Sequence, residues 1–374
     1  MTSEPAAARP LIFVTPGFGA AAIGGVAASA ERIVQHLSLV HPVRVVTPSD
    51  ALSPFTCADR ERSGVRVTEV GAGKADKRFL QFFADVIETS AGEEDDPLIL
   101  GFYCNQLAYA ATLAGLRLGR APWLFARGND IDLEPFGEWA FHVHFALSHA
   151  QRVFCVSREL LAKVRAFCPK AKAHWLPNGV DSKRFPLLEP RLPGERLTLG
   201  LFGEIKHKKG LDLLLAGLDF DRFELRIVGQ LREDAARLLH GFLTLHPHLV
   251  ERIATLPYQR DTVSLLEQYR AVDLVCLPSH HEGMANVMLE AMACGRPCVC
   301  SAVGGALDVV EDGISGFLFQ PRSETALARA VDCAEALVRA DAAGLGRRAR
   351  AAVARGFSAK KEACRYLRAL ASAS

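Results

Sequence analysis

The chain has 374 residues, of which 49% are hydrophobic and 23% charged, a composition that excludes disordered, collagen-like and disulfide-scaffold proteins. Because this length exceeds one typical core of ~100–200 residues, two domains are expected. The 44 Lys and Arg residues are balanced by 42 Asp and Glu, so the net charge of +2 gives no reason to expect a nucleic-acid partner.

Short apolar runs alternate with longer amphipathic stretches, which is typical of parallel βαβ units. In the first half the predicted strands are Leu11–Thr15, Val43–Thr47, Val65–Val70, Leu98–Phe102, Trp123–Ala126 and Val153–Val156. The pattern restarts with strands at Leu197–Phe202, Leu225–Val228, Ile253–Leu256, Leu274–Pro278, Pro297–Ser301 and Gly316–Phe319. The helices predicted are Val26–Leu39, Lys77–Glu88, Leu211–Leu218, Ala285–Ala293 and Lys360–Ala371. The sequence therefore predicts an α/β fold with two doubly wound domains.

A stretch rich in Pro, Gly and Asn with few apolar residues separates the two halves and predicts a linker. We divide the chain into an N-terminal domain (1–177), the linker (178–194), a C-terminal domain (195–356) and a terminal helical segment (357–374). In doubly wound domains, ligands bind at the carboxyl ends of the strands.

Most of the ten cysteines lie in apolar runs, which predicts small core residues of a reduced, cytoplasmic protein. The first ten residues do not have the basic start and apolar run of a signal peptide, and no stretch approaches the ~20 apolar residues of a membrane span. Contact with the inner face of a membrane stays open, since Lys74–Arg78 and Arg158–Lys172 are basic, although a solvated surface explains them better. The Glu93–Asp96 acidic run is likewise interpreted as a solvated loop.

No metal site is expected. Cys294, Cys298 and Cys300 do not form a CxxC pair with a fourth ligand at the usual spacing. Asp130 and Asp132 form a D-x-D pattern, but it follows a strand of the N-terminal domain, and we assign it to a loop.

Two glycine-containing loops follow predicted strands. The first contains Gly17, Gly19, Gly24 and Gly25, which do not match the G-x-G-x-x-G dinucleotide pattern. It suits either close approach of an anionic ligand to a helix N-terminus or a plain tight connection. The second, 203–210, carries three lysines before a helix, which suits a diphosphate, although charge runs are usually solvated.

The stretch 278–297 is the most specific. Glu282 lies in a loop before a helix, and Glu290 lies inside that otherwise apolar helix, where a carboxylate is costly unless it is hydrogen-bonded. Carboxylates accept paired hydrogen bonds from ribose or sugar diols. The pair therefore indicates a ligand rich in hydroxyl groups.

At these residues the chain resembles the retaining glycosyltransferases of family 4, which have the GT-B architecture. The matching motifs follow in order along nearly the whole chain: Gly24-Gly25, Asn178-Gly-Val-Asp181, Gly203 to Gly210, Leu256-Pro-Tyr258, Asp273 to Pro278, the Glu282 and Glu290 pair, and Gly304-Gly305. The resemblance implies two Rossmann-like domains facing across a crevice and a C-terminal helix crossing back to the N-terminal domain. The first domain would bind the acceptor and the second the donor.

The resemblance also implies site roles and partners. Glu290 would hold the donor ribose, Glu282 would position the donor sugar, and Lys209 would bind the diphosphate. The further donor contacts implied are Gly24, Gly25, Tyr258, Gly283, Met284, Ala285 and Asn286. The donor would be a nucleotide-sugar, UDP preferred over GDP, and the acceptor a glycan or a lipid-linked molecule, with no cofactor.

Two positions depart from the family pattern. Glu204 stands where an arginine is common, and we expect Lys206 to replace that cation. Arg127 stands where relatives have a histidine, so Arg127 is our third catalytic candidate, with a structural salt bridge to Asp130 or Asp132 as the alternative. His142 and His144 are the nearest other histidines, and a core or helix-surface role is expected for them.

Three functions therefore stay under consideration. The first is a retaining transferase that moves a sugar onto an acceptor hydroxyl in polysaccharide or glycoconjugate synthesis. The others are a relative with hydrolase, epimerase or phosphorylase chemistry, and an inactive nucleotide-sugar-binding protein.

Overall fold

The computed structural model describes residues 8–19, 24–72 and 77–372. The chain divides into two units, the first formed by residues up to Leu176 together with those from Ala363, and the second by Pro177–Glu362. The first unit contains strands β1 (Leu11–Val14), β2 (Val43–Ser49), β3 (Cys57–Arg62), β4 (Val65–Gly71), β5 (Leu98–Phe102), β6 (Trp123–Ala126), β7 (Arg152–Cys155) and β8 (Ala173–Trp175). Its helices are α1 (Gly25–Leu37), α2 (Lys77–Gly92), α3 (Gln106–Arg117), α4 (Asn129–Asp132), α5 (Ala140–His149) and α6 (Arg158–Phe167).

The second unit repeats the alternation. Its strands are β9 (Leu197–Ile205), β10 (Phe223–Leu231), β11 (Ile253–Leu256), β12 (Leu274–Leu277), β13 (Cys298–Ser301) and β14 (Phe317–Phe319). Its helices are α7 (Leu211–Gly217), α8 (Glu233–Leu245), α9 (Thr262–Arg270), α10 (Asn286–Ala293), α11 (Ala306–Val309) and α12 (Glu324–Gly356); α13 (Ala359–Ala371) begins here and passes into the first unit.

Each unit is built on one sheet. The first sheet has the order β3-β4-β2-β1-β5-β6-β7-β8, parallel except for β3. The second has the order β11-β10-β9-β12-β13-β14 and is parallel throughout. In both sheets the order reverses next to the first strand of the unit, between β1 and β5 and between β9 and β12. The predicted pair of doubly wound sheets is confirmed.

The alternation of side chains along β1 shows how the first sheet is buried on both faces. Leu11 and Phe13 enter one core cluster, and Ile12 and Val14 enter another, because successive strand residues point to opposite faces. The cluster of Leu11 and Phe13 also takes in Tyr366 from α13, whose ring stacks on Phe125 with centroids 5.4 Å apart. The C-terminal helix therefore completes the first core.

All the strands and helices predicted from sequence are present, with ends shifted by up to four residues. Two strands, β3 and β8, were missed. The β3 sequence, Cys57 to Arg62, is polar because β3 is an exposed edge, where Arg60 pairs with Glu69 on β4 at 3.0 Å. Ser63 and Gly64 form the turn with φ values of 53° and 73°, both in the left-handed region that hairpin turns use.

The acidic run after α2 lies in a mostly exposed loop, as the sequence predicts, and it also takes part in ion pairs. Glu93 accepts hydrogen bonds from Arg44 at 2.8 Å and from Arg66 at 2.9 Å, and the Arg44 side chain is only 7% exposed.

Among the cysteines, seven are buried and three are exposed, and all ten are free thiols, in agreement with the prediction for most of them.

Candidate functional site

The candidate site of the second unit lies where β9 and β12 are neighbours. The chain leaves β9 into residues 206–210, which we call the lysine turn, and leaves β12 into residues 278–285, which we call the Glu282 loop. Because parallel neighbouring strands end at the same edge of a sheet, the two segments meet there. This reversal of strand order is the usual ligand-binding position of an open α/β sheet.

Close backbone contact fixes the lysine turn against the Glu282 loop. Gly210 has φ of +69°, and a Cβ placed on it would lie 2.0 Å from the carbonyl oxygen of Pro278. The backbone N–H of His280 donates to the carbonyl oxygen of Lys208 at 2.8 Å. A side chain at position 210 would therefore push the two segments apart.

Glu282 lies between two lysine ammonium groups. Its Oε2 accepts a hydrogen bond from Lys209 Nζ at 2.5 Å, and its Oε1 is 3.6 Å from Lys208 Nζ. The three side chains are 14 to 17% exposed. Burial by itself would raise the pKa of Glu282, but the charges of Lys209 and Lys208 outweigh it and lower this pKa to about 2. At neutral pH the group is an ionised acceptor with two cations beside it.

Glu290 lies on α10 and accepts a hydrogen bond from the Tyr269 hydroxyl at 3.1 Å. Tyr269 is fully buried and stacks on Phe202, with ring centroids 4.7 Å apart. Burial, followed by the nearby charge of Glu290, raises the pKa of this tyrosine well above its ordinary value, so it stays a hydrogen-bond donor. Tyr269 therefore orients Glu290.

The start of α10 is held by the segment that follows the division between the units. Asn178 donates to the carbonyl oxygen of Met284 at 3.2 Å and to Oδ1 of Asn286 at 3.0 Å. Gly304 and Gly305 also pack against this loop. A Cβ on Gly304 would lie 1.9 Å from the Glu282 carbonyl oxygen. The Gly305 N–H donates a hydrogen bond to the Gly283 carbonyl oxygen at 2.6 Å. The predicted donor contacts Gly283, Met284 and Asn286 thus belong to one braced segment.

Lys206 has a different neighbour from the other two lysines. Its Nζ donates to Glu204 Oε2 at 3.1 Å, and Arg232 approaches the other oxygen of that carboxylate at 3.2 Å. Lys208, which sequence reasoning did not single out, is the second cation at Glu282.

Tyr258 lies after β11 and is 37% exposed, and Ala285 is the residue that precedes α10.

The remaining predicted residues belong to the first unit. Gly24 precedes α1 with φ of +112°, Gly25 is the first residue of that helix, and a Cβ on Gly24 would meet nothing within 4 Å. Residues 20–23 and Lys74, also part of the sequence interpretation, lie outside the described residues. In the second basic stretch, Arg158 stacks over Trp175 at 4.3 Å and Lys163 pairs with Asp132 at 2.6 Å.

Arg127 follows β6 and is 9% exposed, with its guanidinium carbon 4.5 Å from the centre of the Phe102 ring. Its backbone N–H, like those of Gly128 and Cys104, donates to the buried carboxylate of Asp130. Despite these bonds, burial raises the pKa of Asp130 to about 6. Through these three hydrogen bonds Asp130 fixes the backbone around Arg127. Asp132 forms its ion pair with Lys163.

The two histidines considered as substitutes lie on α5. His142 packs between Tyr109 and Trp139, with ring centroids 4.6 and 4.8 Å away, and burial lowers its pKa. His144 is exposed on the helix surface. These positions agree with the expected core or helix-surface role.

Two family models match the chain in succession. The model described as Glycosyl transferase 4-like domain matches residues 24–179, and the model described as Glycosyl transferases group 1 matches residues 196–334. Together they span most of the chain. The protein belongs to the group 1 glycosyltransferases. The family predicted from the sequence motifs is thereby confirmed.

Among curated proteins, this glycosyltransferase is similar to D-inositol 3-phosphate glycosyltransferases. It is 35% identical to that of Stackebrandtia nassauensis over 153 residues (38% of this chain, 34% of the relative), and 33% identical to that of Xylanimonas cellulosilytica over 209 residues (48% and 45%). The matched stretches thus span about a third to under a half of the length of these relatives.

Solved structures show the fold. Sucrose-phosphate synthase from Thermosynechococcus elongatus superposes with a TM-score of 0.81 at 22% identity, covering 98% of this chain and 100% of that one. HepE of Anabaena, in complex with UDP-glucose, gives a TM-score of 0.76 at 19% identity over 97% and 99% of the two chains. The glycosyltransferase thus has the GT-B fold. Among its described residues, no helix is long and apolar enough to cross a bilayer.

Proposed function

We propose that this glycosyltransferase transfers a sugar from a nucleotide-diphosphate sugar to an acceptor hydroxyl with retention of anomeric configuration, UDP-sugars being the preferred donors. The observation that carries the proposal is the position of Glu282 between the ammonium groups of Lys208 and Lys209 at the reversal of strand order. Two preorganised cations there match the two charges of a diphosphate.

The roles that we propose for Glu282, Lys208 and Lys209 follow from their charges. A carboxylate whose pKa is about 2 cannot donate a proton at neutral pH, so Glu282 acts as a hydrogen-bond acceptor for donor-sugar hydroxyls. As the bond to the diphosphate breaks, Lys208 and Lys209 stabilise the charge that develops on the leaving group. The departing phosphate oxygen then accepts the proton of the acceptor hydroxyl. Donor binding through ammonium groups needs no metal.

The comparisons support the donor class. A structural neighbour is named as a complex with UDP-glucose, and the curated relatives are named as glycosyltransferases of an inositol phosphate. For this chain we propose a glycan or lipid-linked acceptor, with synthesis of a polysaccharide or glycoconjugate in the cytoplasm as the setting.

Ribose binding by Glu290 gives the sharpest test of the donor site. Glu290→Ala should weaken UDP binding about 10- to 150-fold, because a charged hydrogen bond is worth roughly 1.5–3 kcal/mol. Titration calorimetry with UDP and 2′-deoxy-UDP should show that the wild type discriminates between them and the variant does not. Tyr269→Phe keeps the ring on Phe202 but removes the hydrogen bond that orients Glu290, so it should reduce this discrimination by less than Glu290→Ala does. Equal discrimination in folded wild type and Glu290→Ala would remove Glu290 from the site.

The reaction is tested by incubating the donor with and without candidate acceptors and following the anomeric proton of the product by NMR. Retained configuration in an acceptor-dependent product supports the proposal, and inverted configuration contradicts it. Sugar released without any acceptor would instead indicate a hydrolase. Donor binding without turnover under every acceptor tried would favour the inactive binding protein.

A further inference from the structure

Beside the candidate donor site, three potential metal ligands lie close together. They are His207 in the lysine turn, Asp212 in the first turn of α7 and His280 in the Glu282 loop, which we call the His-Asp-His cluster. The ligand atoms of all three lie within 4.8 Å of one another. Three segments separated by up to 73 residues therefore deliver one ligand each, because β9 and β12 are neighbours.

The buried member of the cluster has unsatisfied polar atoms. The His280 side chain is 8% exposed, and neither of its ring nitrogens has a hydrogen-bond partner. Asp212 Oδ1, 3.4 Å from His280 Nε2, also accepts no hydrogen bond. Buried polar atoms without hydrogen-bond partners are rare and costly, so these three atoms require an explanation. A cation held between the ring nitrogen and the carboxylate would satisfy both.

The distances suit a small tetrahedral ion. Zinc bonds to His nitrogen and carboxylate oxygen measure about 2.0–2.2 Å, so two ligand atoms of a tetrahedral site are about 3.3–3.6 Å apart. The separation between His280 Nε2 and Asp212 Oδ1 is already in that range. The ring of His207 is exposed, and its centroid lies 5.0 Å from that of His280. Imidazole and carboxylate ligands favour Zn²⁺ over Mg²⁺, which prefers oxygen ligands.

We propose that His207, Asp212 and His280 form a Zn²⁺ site with a fourth position open to water. The site departs from our sequence interpretation, in which no metal was expected, and it takes no part in the transfer reaction. Its ligands come from the lysine turn, the start of α7 and the Glu282 loop. Bound Zn²⁺ therefore connects the lysine turn to the Glu282 loop, as the hydrogen bond between His280 and Lys208 already does. Zinc therefore stabilises the backbone of the two segments that carry Lys208, Lys209 and Glu282.

The test measures zinc directly and does not depend on the proposed donor or activity. Metal-free full-length protein is titrated with Zn²⁺ against a chromophoric chelator. We expect one high-affinity equivalent, a higher unfolding temperature with Zn²⁺, and no competition from Mg²⁺. His207→Ala, at an exposed position, and the isosteric Asp212→Asn should each weaken binding by at least about 10- to 100-fold, since losing only a supporting partner of a ligand costs that much.

His248→Ala is the matched control, because His248 is exposed, belongs to the same unit and is not part of the cluster. It should bind Zn²⁺ like the wild type. Circular dichroism confirms that each variant is folded. The proposal is overturned if the wild type binds no stoichiometric Zn²⁺, or if folded His207→Ala and Asp212→Asn retain wild-type affinity, which would place the metal on other groups such as the exposed cysteines.

Discussion

The side-chain amide of Asn178 donates a hydrogen bond to the carbonyl oxygen of Met284, 106 residues later in the chain, at 3.2 Å. The same amide donates to Asn286 at 3.0 Å, and Asn178 itself is 3% exposed. A residue next to the division between the units thereby fixes the loop that presents Glu282.

Replacing Asn178 tests this support. Asn178→Ala should lower the free energy of unfolding by about 1–3 kcal/mol, since it leaves buried partners unsatisfied, and should weaken UDP binding as the loop loosens. Chemical denaturation and UDP titration measure the two effects. Asn178→Asp keeps the size but not the N–H donors, so it should share both defects. If Asn178→Asp binds UDP like the wild type, the amide does not position the loop.

Single alanine substitutions of the three lysines should rank their contributions to donor binding. Lys208→Ala and Lys209→Ala should each weaken UDP binding about 10- to 150-fold, because each removes a charged contact with the diphosphate. The sequence predicts that Lys206 replaces the family's arginine. Since Lys206 pairs with Glu204, we now expect its replacement to have a smaller effect than that of Lys208. A larger effect at position 206 than at 208 would restore Lys206 as the substitute for the family's arginine.

The low pKa of Glu282 predicts a pH dependence of stability. The group has a pKa of about 2 in the folded protein against an ordinary value of 4.5, so its ion pairs stabilise the fold above about pH 4.5 and are lost as the pH falls towards 2. Between pH 5.5 and 3.5 the free energy of unfolding should fall more steeply for the wild type than for Glu282→Gln. Urea titrations at half-unit intervals measure the slopes. Parallel slopes would show that Glu282 is not held by the lysines in solution.

Gly210 should not tolerate a side chain. Gly210→Ala should destabilise the protein by more than the roughly 1–2 kcal/mol of the left-handed conformation alone, because its Cβ meets the Pro278 carbonyl oxygen. It should also separate the lysine turn from the Glu282 loop and weaken UDP binding. Gly241→Ala on α8 is the control: its Cβ meets nothing within 4 Å, and it should stabilise the helix by about 0.5–1 kcal/mol. Differential scanning fluorimetry compares them, and equal unfolding temperatures would contradict the argument.

For Arg127, stability and kinetics separate two roles. Arg127→Lys loses the planar contact with Phe102 but keeps the charge. If Arg127 acts on the substrates, the variant should lose turnover or acceptor affinity while its unfolding temperature stays within a few degrees of the wild type. A large loss of stability with unchanged activity per folded molecule would make Arg127 structural.

From the sequence we could predict the alternation of strands and helices, the two largely parallel sheets and the Glu282 and Glu290 pair, because buried parallel strands are short apolar runs separated by helix-length segments. It did not reveal β3, since the polar residues of an exposed edge strand carry no apolar signal. Which charged side chains form ion pairs depends on how the loops pack against each other. The sequence points to Lys206 and Lys209 but not to Lys208, because the direction of a side chain in a tight turn depends on backbone dihedrals that the order of residues does not reveal. The contact of His280 with Asp212 likewise exists only because β9 and β12 are neighbours in the sheet.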